Sequence, residues 1–200
     1  MMFATLALMA SPGAARAAGD VPGAQRWLIG LDIAATTLST NAQADGIIID
    51  AKAAGPALQV GWLWKPCLMV RAAAGAADYG TNLPDVKIRV GGGTIDAVFL
   101  FREGRTFRPY LFAGVGGYEA LSRRDNLAYA VSGTGLAFGT GAHLRLGRDV
   151  TLHGSVRVES VRWPETAVTL DGPDGPVPVA EPIDRDGWGS RVMIGLGWWP

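Results

Sequence analysis

Val150-Thr151-Leu152-His153-Gly154-Ser155-Val156-Arg157-Val158-Glu159 alternates two kinds of side chain. Val150, Leu152, Val156 and Val158 fall on one face, and Thr151, His153, Ser155, Arg157 and Glu159 on the other. A repeat of two is the mark of a β-strand, because successive side chains point to opposite sides of the backbone. The segment runs on to Trp163, and the same pattern recurs along the chain. Trp27, Ile29, Leu31 and Ile33 alternate with small or charged residues, Asp32 among them, in a segment over 27–38. Further segments are read at about 52–64, 68–77, 93–102, 108–119, 128–146 and 188–199. In 93–102, Ile95, Ala97, Phe99 and Phe101 oppose Thr94, Asp96, Val98 and Leu100. Residues 108–119 are too apolar and glycine-rich for their faces to be assigned.

The connections alternate in length. Residues 65–67, 103–107 and 147–149 are short, whereas 39–51, 78–92, 120–127 and 164–187 are long. Eight strands joined by short turns at one end and long loops at the other form an antiparallel up-and-down meander. Transmembrane barrels combine this layout with an apolar outer face and girdles of aromatic side chains. Trp27, Trp62, Trp64, Phe101, Trp163, Trp188 and Trp198 stand near segment ends, as such girdles require. An inward-facing apolar side would instead give a soluble, lipocalin-like barrel with a ligand inside. That reading needs a water-facing exterior rich in charge, but here the non-apolar face is mostly Gly, Ala, Ser and Thr. The fold class expected is therefore an all-β, eight-stranded transmembrane barrel with short periplasmic turns and long outer loops.

Composition agrees. The 200 residues carry 18 basic and 18 acidic side chains, 48% of the chain is apolar, and mean hydropathy is +0.19. Zero net charge argues against a nucleic-acid partner, which needs a basic footprint. No stretch reaches the roughly 18 apolar residues of a spanning helix. The single Cys67 excludes an internal disulfide and a cysteine-clustered zinc site. Phe3 to Ala10 is an apolar run followed by Ala15-Arg16-Ala17, which reads as a secretory signal peptide over residues 1–17 preceding a barrel domain at 18–200.

Arg108-Pro109-Tyr110-Leu111-Phe112-Ala113-Gly114-Val115-Gly116-Gly117-Tyr118 resembles the Pro-Tyr-x-x-x-Gly-x-Gly strand of the outer-membrane protein A and opacity-type barrel superfamily. Residues 133–141, then Leu144-Arg145-Leu146-Gly147 and Val156-Arg157-Val158-Glu159, resemble that family's next hairpin. The resemblance implies the eight-stranded architecture and insertion into the cell outer membrane by the barrel assembly machinery.

If the charged face points inward, Asp32, Arg71, Asp96, Arg145, Arg157, Glu159 and Arg191 share one lumen with His143 and His153. Charges in so narrow a space must pair to offset desolvation, so a plugging ion-pair network is expected. One catalytic arrangement stands beside it: His153 and Ser155 share a strand face, and Glu159 supplies a carboxylate. Lipid A deacylases resemble this arrangement, although no Asn follows Ser155 here and the periodicity turns the pair away from lipid. Residues 164–187 gather six acidic side chains against Arg185 without the fixed spacing of a calcium loop, so no metal site is expected. Within them, Val168 to Leu170 and Val177 to Val179 flank turn signals and read as a hairpin extension.

The function expected is structural or surface-interacting, with outer-membrane lipid and an extracellular ligand of the loops as partners, and without a cofactor. A lipid A-modifying hydrolase and a soluble ligand-binding barrel are the alternatives.

Overall fold

The computed structural model describes residues 27–39, 51–82, 87–101, 105–124, 127–172, 175–178 and 185–200. The expected signal peptide at 1–17 and most of the connection at 39–51 lie outside them. Among these residues nine strands form in chain order: β1 (Trp27–Ser39), β2 (Lys52–Lys65), β3 (Leu68–Gly80), β4 (Lys87–Leu100), β5 (Phe107–Arg124), β6 (Leu127–Arg145), β7 (Val150–Gly172), β8 (Gly175–Pro178) and β9 (Arg185–Trp198). Each of the first seven pairs antiparallel with the next, while β9 pairs with both β7 and β1. Eight strands thereby close into a barrel without free edges, and β8 folds back on the tip of β7.

The register fixes the geometry. From Leu28, successive partners around the ring are Gly61, Arg71, Asp96, Gly114, Ala137, Glu159, Gly189 and finally Leu38. The circuit returns to β1 ten residues further on, which is a shear of 10 and tilts the strands by about 40°. At that tilt a strand advances about 2.5 Å per residue along the axis, so about ten residues cross an apolar band of about 25 Å.

The alternation read from the sequence sorts the side chains as the barrel needs. Leu31, Ile33, Ile95, Val115, Leu136 and Ile194 point outward and are each more than half exposed. Every barrel strand contributes large apolar side chains to this outer surface. The inner rows carry Asp32, Gln59, Arg71, Asp96, His153 and Arg157, none more than 3% exposed. An exterior of this kind removes the soluble-barrel alternative, because water would face the apolar side.

Three connections are shorter than the sequence reading placed them. Residues 78–80 and 87–92 are strand, which narrows 78–92 to residues 81–86. The connection at 120–127 shrinks to 125–126, and 164–187 is mostly the long end of β7, the β8 hairpin and the start of β9. For the first two, the physical reason is that these strand ends carry polar residues on the outer face as well. Asp78, Arg89 and Glu119 are outward and exposed, so apolar alternation stops there although hydrogen bonding continues. The expected hairpin at 168–179 is present, with Leu170 opposite Val177.

Inner glycines lie where a neighbour needs the space. A Cβ on Gly135 would fall 2.3 Å from the Ser160 carbonyl oxygen, whereas one on the outward Gly117 would meet nothing within 4 Å. Gly135→Ala should therefore lower the unfolding free energy by about 2 kcal/mol, and Gly117→Ala should change it by less than about 0.5 kcal/mol. Urea titration of the refolded barrel measures both, and equal effects would contradict this division between inner and outer glycines.

Candidate functional site: the lumen

The inner rows of six strands meet in one connected network. On β1, Asp32 accepts a hydrogen bond from Gln59 Nε2 at 2.9 Å and pairs through its other oxygen with His153 Nε2. Gln59 Oε1 accepts from Arg71 Nη1 at 3.3 Å. Arg71 donates through Nε and Nη2 to Asp96 Oδ2, at 3.1 and 2.8 Å. Arg157, reaching in from β7 toward β4, pairs with the same Asp96 oxygen and donates to Thr94 Oγ1 at 2.7 Å. Beyond it lies Glu159, 3.5 Å from both Arg157 Nη1 and Arg191 Nη2.

Sequence-local reasons place each group. Arg71, Asp96 and Glu159 lie on the single register circuit traced above, and the positions between them are glycine or alanine. Those small residues leave the width that guanidinium groups occupy. Strand β5 supplies the Phe112 ring, with the Arg71 and Arg157 guanidinium carbons 4.5 and 5.0 Å from its centroid. Such stacking offsets part of the desolvation of two buried cations.

An apolar layer closes the short-turn end. Leu28, Met69, Val98, Leu100, Tyr110 and Phe112 pack together, with Leu63 and Trp199 against them. Trp199 donates through Nε1 to Thr151 Oγ1 at 3.2 Å, and its backbone N–H reaches the Asp149 carbonyl at 2.7 Å. His143 lies inside this end, its ring 4.9 Å from Tyr110 and 5.6 Å from His153.

The residues singled out in the sequence are distributed as follows. Asp32, Arg71, Asp96, Arg157, Glu159 and Arg191 are all linked directly or through Gln59. Arg145 lies two residues past His143 on β6, and among the described residues its side chain joins none of these contacts. His153 and Ser155 face the lumen; no hydrogen bond joins them among the described residues, His153 Nε2 is taken by Asp32, and Glu159 faces two arginines. The three are therefore not brought together as a nucleophile, base and orienting acid. Among the described residues no group of three or more His, Cys, Asp or Glu is placed to hold a metal ion.

Of the aromatic residues, Trp27, Trp64, Phe101, Trp188 and Trp198 are outward and exposed. Trp62 is outward and half-buried, because its ring stacks edge-on with Trp27 at 4.5 Å. Trp163 is a correction to the girdle. It continues the inner row of β7, where a Cβ on Gly133 would fall 2.8 Å from its ring. Just there the β6–β7 register shifts between Ser132 and Thr134, beside Pro164, which has no N–H for the ladder. Gln59, Thr94, Tyr110, Phe112 and Trp199 are lumen residues that sequence reasoning missed as a site. Gln59 alone had a signal, since it is the one long polar residue facing the side opposite Leu58 and Val60.

A closed eight-stranded ring, a continuous apolar belt and a charged interior define this molecule as a small β-barrel of the outer-membrane type. No family model matches the chain, and no curated protein does. Solved structures do match. Neisserial surface protein A superposes with a TM-score of 0.66 at 14% identity, over 87% of this chain and 97% of that one. Ail, the attachment invasion locus protein of Yersinia pestis, gives 0.54 at 16% identity over 87% and 97%. Outer membrane protein AlkL, solved in lipid bilayers, gives 0.56 at 16% identity over 95% and 96%. At such identities the fold is what is shared, and it is the fold implied by the resemblance at 108–118 and 133–159.

Removing one partner of a fully buried pair leaves an uncompensated charge. Asp96→Ala should lower the unfolding free energy by about 3–5 kcal/mol, and Asp96→Ala with Arg157→Met together should cost less than the two changes summed. Asp78→Ala, which breaks the exposed pair with Arg89 (2.7 Å), should leave the urea midpoint unchanged. Additivity of the Asp96 and Arg157 changes would show that the two do not act as a pair.

Proposed function

We propose that this barrel is a passive structural and surface-interaction protein of the outer membrane, its lumen plugged by the Asp32–Arg71–Asp96–Arg157–Glu159–Arg191 network. One observation carries the reading: large apolar side chains cover the outside of all eight strands, while the charges of the network are inside and engaged with one another. A bilayer is the environment in which that arrangement is stable. Bulk diffusion through an eight-stranded barrel so filled is disfavoured, since its interior is only wide enough for side chains.

Surface interaction then falls to the long-strand end. There β5, β6 and β7 run 18, 19 and 23 residues, well beyond the span a bilayer needs. Two structures sharing the fold are described as a surface protein and an attachment invasion locus protein, which supports the same general role here. An extracellular ligand is the partner proposed at this end, outer-membrane lipid the partner of the belt, and the barrel assembly machinery the route of insertion.

Cell fractionation and heat-modifiable electrophoretic migration test the proposal. The protein should be extracted from outer membranes by detergent and migrate faster unheated than boiled. A charge on the belt, as in Ile194→Lys, should cost about 2–4 kcal/mol in lipid. Recovery from the periplasm without detergent, with Ile194→Lys as stable as the original, would overturn it.

A further inference from the structure

The network is not uniformly satisfied. On the long-strand side of Asp96, four buried polar atoms have no hydrogen-bond partner: Tyr118 Oη, Arg157 Nε, Arg191 Nε and Glu159 Oε1. Tyr118 and Arg157 are at most 5% exposed, so water outside the barrel does not serve them. These atoms belong to one place. Arg157 and Arg191 are register partners on β7 and β9, Glu159 stands 3.5 Å from each guanidinium, and the Tyr118 phenol is within electrostatic reach of all three. Tyr79, hydrogen-bonded to Thr36 at 2.5 Å, is within reach of Glu159 and Arg191 from β3.

Two features give the place a chemical preference. The first is charge: Arg157 and Arg191 bring two cations to one carboxylate, Glu159, while Asp96 is shared with Arg71 and Asp32 stands apart on Gln59 and His153. The second is geometry: separations of 3.5 Å exceed the 2.7–2.9 Å of a formed charge-assisted bond, so Glu159 leaves donor capacity on both arginines. Three free donors, two of them cationic, recognise an anion. Among the described residues, access is one-sided. Side-chain exposure rises from 1% at Arg71 through 2% at Arg157 to 12% at Arg191, while the apolar layer with Trp199 seals the other end.

We propose that the lumen holds a small-anion site, made by the Arg157 and Arg191 guanidinium groups and the Tyr118 hydroxyl beside Glu159, and entered from the long-strand end. Its ligand is a monovalent anion of the size of chloride or formate. Glu159 limits its affinity by competing for the same donors.

The test is nitrogen-15 NMR of the arginine Nε–H groups in the refolded full-length barrel, titrated from halide-free buffer with sodium chloride and separately with sodium formate. Arg89, exposed on the outer surface, reports general ionic strength. Saturable shifts at Arg157 and Arg191 are expected while Arg89 only drifts, and the tighter of the two anions identifies the ligand class. Arg191→Gln should weaken binding about tenfold or more, Tyr118→Phe should weaken it while keeping every charge, and Glu159→Gln should tighten it. Should Arg191→Gln fail to fold, Tyr118→Phe and Glu159→Gln decide the matter. Signals from Arg157 and Arg191 that track Arg89, or a Tyr118→Phe variant that titrates like the original with Glu159→Gln no tighter, would overturn the site.

Discussion

Eight strands staggered by ten residues enclose a space about as wide as the side chains that enter it, and that constraint governs every inner position. A long inward side chain needs a small one beside it, which is why Tyr110, Phe112, Tyr118 and Trp163 stand against Gly141, Gly139, Gly92 and Gly133. An inward charge needs a partner across the ring. Asp96 meets that need for two arginines at once, Arg71 on the neighbouring strand and Arg157 on a strand three places away. The connection between β4 and β7 is therefore made through the lumen as well as around the wall.

Much of this was legible in the sequence because two-residue alternation is a local property. The inward placement of Asp32, Arg71, Asp96, Arg157, Glu159 and Arg191 follows from parity once the apolar face is taken as outward. What parity does not carry is reach. The partnership of Asp96 with Arg157 depends on shear, which is set by eight registers together and is written in no single segment. Gln59 bridges Asp32 and Arg71 for the same reason, and nothing in 52–64 marks it as a bridge.

The remaining differences trace to places where the local signal fades. Residues 87–92 and 120–124 are paired strand, but at 87–90 the polar Lys87 and Arg89 take the outward face and Ile88 and Val90 the inward one, the reverse of the pattern along the belt. Trp163 stands near a strand end like the other tryptophans, and position alone points it to the girdle. In the barrel it continues the inner row and fills space left by Gly133 beside an irregularity at Pro164. Phe112 went unassigned because 108–119 is apolar on both faces, one toward lipid and one toward the guanidinium groups.

Everything in this account rests on the outer face meeting hydrocarbon and the inner face meeting the network. Nuclear Overhauser contacts between protein methyl groups and lipid acyl chains, recorded on the barrel in nanodiscs, test that most directly. Contacts to acyl chains should appear for Leu31, Ile33, Ile95, Val115, Leu136 and Ile194 and be absent for Ala34, Ala57 and Met193. Acyl contacts at Ala34 and Met193, with water contacts at Leu31 and Ile194, would contradict the account.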